Sequence, residues 1–177
     1  MNKNLLIVGA GTYAVVAYEI ALDMGCFAKI DFVDDVRKAT PNGIETIGNT
    51  DDIERFAPEY SYIVVAIGNP EARLSFLKRI IKMTPYNVVS LVSPRAYISP
   101  SAQIMSGCII EPMATVQAGC KLQLGCIICA GAVVNHTSEC GEGVHVDCNA
   151  TVEGYSTVPA GTKICSGDVY KMRNDNL

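Results

Sequence analysis

The chain has 177 residues, of which 49% are hydrophobic, and its formal net charge at neutral pH is −4. This length suits one domain or two small ones. Nucleic acid is an unsuitable partner, because binding its phosphates requires clustered Lys and Arg, and the chain has no basic run. No segment reaches the roughly 20 apolar residues of a membrane helix, and the apolar run Leu5–Val8 is too short for a signal peptide. We therefore expect no membrane insertion and a cytoplasmic location.

The eight cysteines are expected to be thiols, because a chain without a secretion signal seldom carries disulfides. Cys126 and Cys129 form an isolated CxxC pair, with no second pair to complete a zinc site. Free cysteine is usually buried as a small apolar residue. No bound metal is therefore expected.

The first part of the chain has the pattern of a small α/β domain. Leu5–Val8 predicts a buried parallel strand, and the turn Gly9-Ala10-Gly11 opens a helix that runs to about Met24. The later predicted elements are strand Ile30–Val33, strand Tyr62–Ile67, a helix over about Glu71–Met83 and a strand over Asn87–Val92. Arg73 is expected on the solvated face of its helix, with a phosphate contact as the less favoured alternative.

The order strand, glycine turn, helix, strand and acid suits a ligand with phosphates and a ribose. The glycines allow backbone amides to approach phosphates, and a carboxylate after the second strand would accept hydroxyl hydrogens. A purely structural turn is the alternative. NAD binding is disfavoured, because about 90 residues cannot supply both halves of a six-stranded dinucleotide fold.

A repeat of six residues begins at Tyr97. Eleven of twelve positions spaced by six are Ile, Leu or Val, and they run from Ile98 to Ile164 with Cys140 as the exception. A small residue follows four positions after most of them. Gly or Asn precedes that small residue in many units, as at Gly107 and Asn149, which predicts a corner with positive φ. A six-residue period would not keep one helix face apolar, so each unit is a short strand and a turn.

Three such units close one triangular coil of about 18 residues, which gives about four coils. The predicted fold class is thus a small Rossmann-like parallel sheet domain at residues 1–92, followed by an all-β solenoid of hexapeptide repeats at residues 93–177.

Both halves together resemble one family, the sialic-acid O-acetyltransferases and UDP-4-amino-sugar N-acetyltransferases. The residues that carry the resemblance are the glycine turn, Phe32-Val33-Asp34-Asp35, Ala66-Ile67-Gly68-Asn69, Ala96–Ala102, Val134-Asn135-His136 and Val144-His145-Val146. The resemblance implies that the solenoid is a left-handed parallel β-helix. It also implies an acyltransferase that uses acetyl-CoA as co-substrate and acetylates a UDP-4-amino sugar or a sialic acid in surface glycan biosynthesis.

The resemblance also assigns roles to individual residues. His136 matches the catalytic base, which takes the proton of the attacking amine or hydroxyl. His145 and Ser166 match positions that contact acetyl-CoA, although His145 could also be a surface histidine at a subunit seam. The matched positions for the nucleotide sugar are Gly11, Thr12, Tyr13, Asp34, Asp35 and Gly68.

A homotrimer, with the CoA groove between neighbouring solenoids, is the implied assembly. Two features depart from the family pattern. Thr137 stands where an acid often follows the catalytic histidine, and the chain ends soon after Val158–Thr162. Glu139 or Glu142 could replace the missing acid. The alternative function is a non-catalytic protein that binds a nucleotide sugar or supports assembly.

Overall fold

The computed structural model describes residues 3–83 and 85–171 of the chain. The first domain contains strands β1 (Asn4–Val8), β2 (Lys29–Val33), β3 (Thr46–Gly48), β4 (Tyr62–Val65) and β5 (Asn87–Val88). Its helices are α1 (Thr12–Met24), α2 (Ile53–Phe56) and α3 (Pro70–Met83), with a short 3-10 turn over Thr50–Asp52. The five strands form one parallel sheet in the order β3-β2-β1-β4-β5. The predicted Rossmann-like sheet is confirmed.

The central strand is apolar throughout because both sides of the sheet are covered. Leu5, Leu6, Ile7 and Val8 are completely buried. Leu5 and Ile7 pack in a cluster with α1, whereas Leu6 and Val8 pack with α3 on the opposite side. Helix α1 ends at Gly25, whose left-handed backbone closes the helix. These two layers hold the glycine turn at the carboxyl end of β1.

The rest of the chain is a three-sided solenoid of two-residue strands. Face A contains β7 (Tyr97–Ile98), β10 (Thr115–Val116), β13 (Val133–Val134), β16 (Thr151–Val152) and β19 (Val169–Tyr170). Face B contains β8 (Gln103–Ile104), β11 (Lys121–Leu122), β14 (Glu139–Cys140) and β17 (Thr157–Val158). Face C contains β6 (Leu91–Val92), β9 (Ile109–Ile110), β12 (Ile127–Ile128), β15 (His145–Val146) and β18 (Lys163–Ile164). Paired strands are parallel and 18 residues apart, as at Val116 and Val134, so the predicted triangular coil is confirmed.

Each strand directs its first residue outward and its second into the solenoid. The predicted apolar positions form one continuous core, in which Cys140 is completely buried beside Val134 and Val158. The corners occur every six residues at positive φ, as predicted for Gly and Asn149. Met113, Thr137 and Tyr155 occupy the same corner position with φ of 65°, 60° and 63°. The sequence pattern did not reveal these three corners, because their side chains are not those that favour this backbone.

The predicted strand over 87–92 is divided between the two domains. Asn87–Val88 completes the first sheet beside β4, whereas Leu91–Val92 pairs with β9 as the first strand of face C. The single-strand prediction was therefore wrong, because the chain turns between two sheets at this point. The domain boundary at residue 92 stays a prediction.

Face C is the side of the solenoid that the first domain covers. Its outward residues Leu91, Ile109 and Ile127 are completely buried in the same cluster as Leu5 and Ala14. Burial of side chains of this size stabilises by about 1.5–3 kcal/mol each. The corner between faces B and C (corner BC) packs on α3, where Leu77 lies against Gly107 and Gly125. The two domains therefore share an apolar interface.

Arg73 of α3 joins this interface through its guanidinium group, and both predictions for this residue were wrong. Its side chain is completely buried. Nε donates to the Gly125 carbonyl at 2.8 Å and Nη2 to the Gly143 carbonyl at 2.7 Å. Nη1 donates to the carbonyls of Ile67 and Gly68 at 2.8 and 3.0 Å. Burial lowers the pKa of Arg73. Arg73 is thus neither solvated nor available for a phosphate.

Within residues 3–83 and 85–171, none of the helices combines the length and apolar character needed to cross a bilayer.

The contact between Leu77 and corner BC predicts a difference between two corner glycines. Gly125 and Gly161 share a φ near +70°, but an added Cβ would clash with Leu77 Cδ1 at Gly125 and would meet nothing within 4 Å at Gly161. Both alanine variants should lose about 1–2 kcal/mol to the left-handed backbone. Gly125→Ala should lose about 1–3 kcal/mol more, because Leu77 is completely buried and cannot yield. Urea unfolding measures both, and equal losses would contradict the packing argument.

Candidate functional site

A cleft of about 450 Å³ surrounds the glycine turn at the carboxyl ends of β1, β2 and β4, and we call it the glycine-turn cleft. Five of the six residues predicted to bind the nucleotide sugar line it, namely Gly11, Thr12, Tyr13, Asp34 and Gly68. Helix α1 begins at Thr12, so its amino-terminal end, where backbone amides lack acceptors within the helix, lies at this cleft. Helix N-termini of this kind favour anionic groups such as phosphates.

Asp34 stabilises the turn from the end of β2. One carboxylate oxygen accepts the Ala10 amide at 2.8 Å, and the other accepts the amides of Val36 and Arg37 at 2.8 and 2.7 Å. Partial burial raises the pKa of Asp34, but the hydrogen bonds from these three amides outweigh it, so the pKa is lowered overall. Asp34 therefore shapes the cleft as a carboxylate with both oxygens engaged.

Asp35 does not line the glycine-turn cleft but a smaller adjoining cavity of about 140 Å³, which shares Gly9 and Asp34 with it. Its carboxylate accepts the backbone amide and the hydroxyl of Thr50, both at 2.8 Å. The cleft contains a cation that the sequence analysis missed, because Arg37 lies across from Gly11. The feature of the sequence that could have identified Arg37 is its position three residues after Asp34. Arg37 therefore contributes a guanidinium to this cleft, whereas Arg73 does not line it.

Tyr13 extends from the glycine-turn cleft toward the solenoid. Its ring centroid lies 6.3 Å from that of His145. Its hydroxyl is buried and has no hydrogen-bond partner among the described residues. Burial, followed by the negative charge of Glu111, raises the pKa of Tyr13 well above its usual range. The phenol therefore remains protonated.

His136 lies on the corner between faces A and B (corner AB), in a second cleft of about 300 Å³ that we call the His136 cleft. Its imidazole is exposed, as the sequence analysis expected for a residue outside the inward frame. The Tyr155 ring meets it edge-on at 5.0 Å between centroids. A Cβ at Gly154 would lie 3.1 Å from His136 Cε1, so the ring packs directly over this glycine. Gly154 and Tyr155 lie one coil after His136, and the 18-residue period could have identified both.

The acid in the His136 cleft is Glu153, not either of the two that the sequence suggested. Glu139 accepts the side-chain amide of Gln123 at 2.7 Å, and Glu142 pairs with Lys78 of α3 at 2.6 Å. Glu153 lines the cleft and pairs with Lys171 at 3.0 Å.

His145 is buried between the domains, with only 5% of its surface exposed. Its Nδ1 lies 3.1 Å from the Gly68 carbonyl and therefore carries the proton, and its Nε2 lies 3.3 Å from Cys129 Sγ. Burial lowers the pKa of His145, which keeps the ring neutral. Neither nitrogen faces an open groove, so the geometry gives no support to a contact with acetyl-CoA or to a surface position.

Within one protomer, the predicted site residues do not lie in a single cleft. Ser166 is exposed on the corner between faces C and A (corner CA). His136 is on corner AB, the edge opposite the face that the first domain covers. The glycine-turn cleft and the His136 cleft therefore lie on different sides of the solenoid.

Comparisons with known proteins agree with this architecture. Residues 4–80 match the family described as the PglD N-terminal domain. The acetyltransferase domain of PglB from Neisseria gonorrhoeae FA1090 is 26% identical with a TM-score of 0.73, and the match covers 99% of this chain and 94% of that domain. The same domain in complex with acetyl coenzyme A is matched at 25% identity and a TM-score of 0.71, over 94% of this chain and 90% of that one.

The resemblance to the sugar acetyltransferases is confirmed. The predicted fold class, a Rossmann-like domain followed by a left-handed β-helix, is confirmed as well. A third similar structure is a mutant of perosamine N-acetyltransferase from Caulobacter crescentus, in complex with CoA and GDP-perosamine. It has 21% identity and a TM-score of 0.78, over 96% of this chain and 89% of that one.

The hydrogen bonds of Asp34 predict a pH-dependent stability difference. Asp34→Asn should lower the free energy of unfolding by about 1 kcal/mol near pH 7, because the amides lose a charged acceptor. The folded pKa is lowered, so this contribution is present above the unfolded pKa of about 4 and is lost as pH falls through the folded pKa. The gap between wild type and variant should therefore begin to shrink near pH 4 and continue to shrink at lower pH, in urea unfolding at pH 7, 5, 4 and 3. The exposed Glu45→Gln is the control, and a gap as large at pH 3 as at pH 7 would contradict the assignment.

Proposed function

We propose that this protein transfers the acetyl group of acetyl-CoA to the amino group of a nucleotide-linked amino sugar, in the cytoplasm, for surface glycan synthesis. An acyltransferase of amino sugars is what the similar structures support. One of these binds acetyl coenzyme A, and another binds CoA together with GDP-perosamine. The observation that carries the proposal is the exposed His136 imidazole in a cleft with Glu153 and Gly154.

His136 acts as the general base. A ring nitrogen takes a proton from the sugar amine as the amine nitrogen forms a bond to the thioester carbonyl carbon. The carbon–sulfur bond then breaks, CoA leaves as a thiolate that takes up a proton, and the product is an amide. The edge-on contact with Tyr155 restricts the ring, and Glu153 supplies negative charge in the same cleft.

The backbone N–H of Gly154 stabilises the oxyanion that forms during this attack. Gly154 lines the His136 cleft one coil after His136, and a side chain there would displace the imidazole. Its N–H donates no hydrogen bond within the described part of the chain, whereas the next amide, that of Tyr155, donates to the His136 carbonyl at 3.2 Å. An amide donor with no partner among the described residues therefore lies beside the base.

The nucleotide of the sugar binds in the glycine-turn cleft. The amino end of α1 and the Arg37 guanidinium supply positive charge for a diphosphate, which is the chemistry that phosphate sites require. This position separates the nucleotide from His136 of the same protomer. The sugar must therefore reach a His136 that a second copy of the chain supplies.

A homotrimer built on face A satisfies this requirement. Face C is covered by the first domain, and face B presents polar residues such as Lys121 and Glu139. The outward residues of face A are apolar or β-branched: Tyr97, Thr115, Val133, Thr151 and Val169. With face A toward a three-fold axis, corner AB of one protomer meets corner CA of the next. His136 of one subunit would then face Ser166 and the first domain of its neighbour across one groove.

Removal of the imidazole should abolish most of the activity. His136→Ala should lower kcat by roughly 10²–10⁴-fold with acetyl-CoA and a UDP- or GDP-linked 4-amino sugar, measured as thiol release. Tyr155→Phe keeps the ring contact and should stay near wild type. Unchanged turnover in His136→Ala would show that His136 is not the general base. A wild-type protein that is inactive with every amino sugar would favour the non-catalytic alternative.

Two variants test the trimer, and each places one glutamate on a different face of the solenoid. Val133→Glu places a carboxylate in the middle of face A and should produce monomers in sedimentation at micromolar concentration, with loss of activity because His136 and the nucleotide cleft separate. Lys121→Glu, in the middle of face B, should remain trimeric and active. A wild-type monomer, or a trimeric Val133→Glu, would refute face A as the interface.

A further inference from the structure

The smaller cavity that adjoins the glycine-turn cleft, which we call the Asp35 cavity, is lined by both polar and apolar side chains. Asp35 and Thr50 are polar, whereas Val8, Ile67 and Phe76 are apolar. Sites for small organic ligands commonly combine apolar walls with a few well-placed polar groups. In the proposed function the phosphates lie in the glycine-turn cleft, so the nucleoside beside them can occupy the Asp35 cavity.

Thr50 holds the carboxylate of Asp35 through two hydrogen bonds. One oxygen accepts the Thr50 amide and the other accepts the Thr50 hydroxyl, both at 2.8 Å. A carboxylate oxygen has two lone pairs, so each oxygen can accept one more hydrogen bond, from a ligand. The position of the Asp35 carboxylate in the cavity wall therefore depends on the position of Thr50.

Thr50 is the first residue of the 3-10 turn Thr50–Asp52 that follows β3, and it is buried. Turns of this kind occur in short pieces, and their hydrogen-bond geometry is poorer than that of an α-helix. A turn of three residues also leaves most of its carbonyl oxygens without a donor inside the turn. Groups outside the turn must therefore fix its position.

Arg79 of α3 supplies such a group. Its Nη2 donates to the Thr50 carbonyl at 2.8 Å, and its guanidinium carbon lies 5.2 Å from the centroid of the Phe76 ring. Arg79 and Phe76 are three residues apart on α3 and therefore share one side of the helix. The contact of Nη1 with Asp51, at 3.4 Å, contributes little, because the Asp51 side chain is 91% exposed. The hydrogen bond to the Thr50 carbonyl is thus the contact by which Arg79 holds the turn.

We propose that Arg79 is a positioning residue for the nucleotide: it holds the Thr50 turn, and the turn holds the Asp35 carboxylate toward the nucleoside. Arg79 itself is not among the described residues that line either cavity, so it acts through Thr50. Without Arg79 the turn is less restrained, and binding of the nucleotide must then also order Thr50 and Asp35, which lowers the affinity. This inference rests on the nucleotide site of the proposed function.

Calorimetric titration of the full chain with UDP, with GDP and with acetyl-CoA tests this role without requiring turnover. Arg79→Met keeps an unbranched side chain but removes the donors, and Arg79→Lys keeps a cationic donor. Thr50→Val removes the hydroxyl that binds Asp35 and preserves the shape of the side chain. Lys78→Met is the control, because it removes a positive charge from the neighbouring position of α3, where Lys78 pairs with Glu142 of the solenoid at 2.6 Å.

The wild type and Lys78→Met should bind UDP or GDP with equal affinity. Arg79→Met should raise the dissociation constant of that nucleotide about tenfold, because a hydrogen bond from a charged donor is lost. Arg79→Lys should recover part of this affinity, because an ammonium group can still donate to the Thr50 carbonyl. Thr50→Val should also weaken nucleotide binding. The dissociation constant of acetyl-CoA should not change in any variant, whereas a general loss of structure would raise it too.

Two kinds of result would overturn the role of Arg79 and leave the nucleotide cleft in place. One is an Arg79→Met variant that binds the nucleotide as tightly as the wild type, and the other is one that loses affinity for the nucleotide and for acetyl-CoA equally. If Arg79→Met does not fold, unchanged nucleotide binding by Thr50→Val overturns the proposal instead. A wild type that binds neither UDP nor GDP would refute the nucleotide cleft itself, and this inference with it.

Discussion

The buried guanidinium of Arg73 is the interaction on which the arrangement of the two domains depends. A guanidinium is costly to remove from water unless its N–H groups find acceptors. Arg73 finds them in four carbonyls, two on corner BC at Gly125 and Gly143 and two in the turn after β4 at Ile67 and Gly68. The acceptors belong to both domains, so the charge is satisfied only when the domains are docked. Arg73 therefore fixes the orientation of the glycine-turn cleft relative to the solenoid.

The three faces of the solenoid differ in character, because the first domain covers only one of them. Face C is covered by the first domain, and its outward residues Ile109 and Ile127 are as fully buried as those of the core. The surface that remains consists of the polar face B, the apolar or β-branched face A and corner AB, which carries His136. Because corner AB is opposite face C, the nucleotide cleft and the base of one protomer cannot meet. The proposed assembly through face A would bring the cleft of one protomer to the base of another.

Most of the fold could be predicted because its period is short and its inward positions are uniform. Six-residue spacing identified the core from Ile98 to Ile164, and glycine identified most corners, but Met113 and Thr137 adopt the same left-handed backbone without a revealing side chain. Contacts between coils follow an 18-residue spacing, which would have paired His136 with Gly154. The burial of Arg73 could not be predicted, because the two acceptors in the solenoid lie 52 and 70 residues further along the chain.

The family resemblance and the structure disagree about His145, because docking of the first domain buries this residue. The sequence around it matches a family position for acetyl-CoA, yet both of its ring nitrogens are engaged beneath the first domain, at the Gly68 carbonyl and at Cys129 Sγ. In the trimer that we propose, the groove for CoA lies between corner AB of one subunit and corner CA of the next, where His136 and Ser166 are exposed. His145 and Cys129, which the docking removes from solvent, contact each other at the interface between the domains.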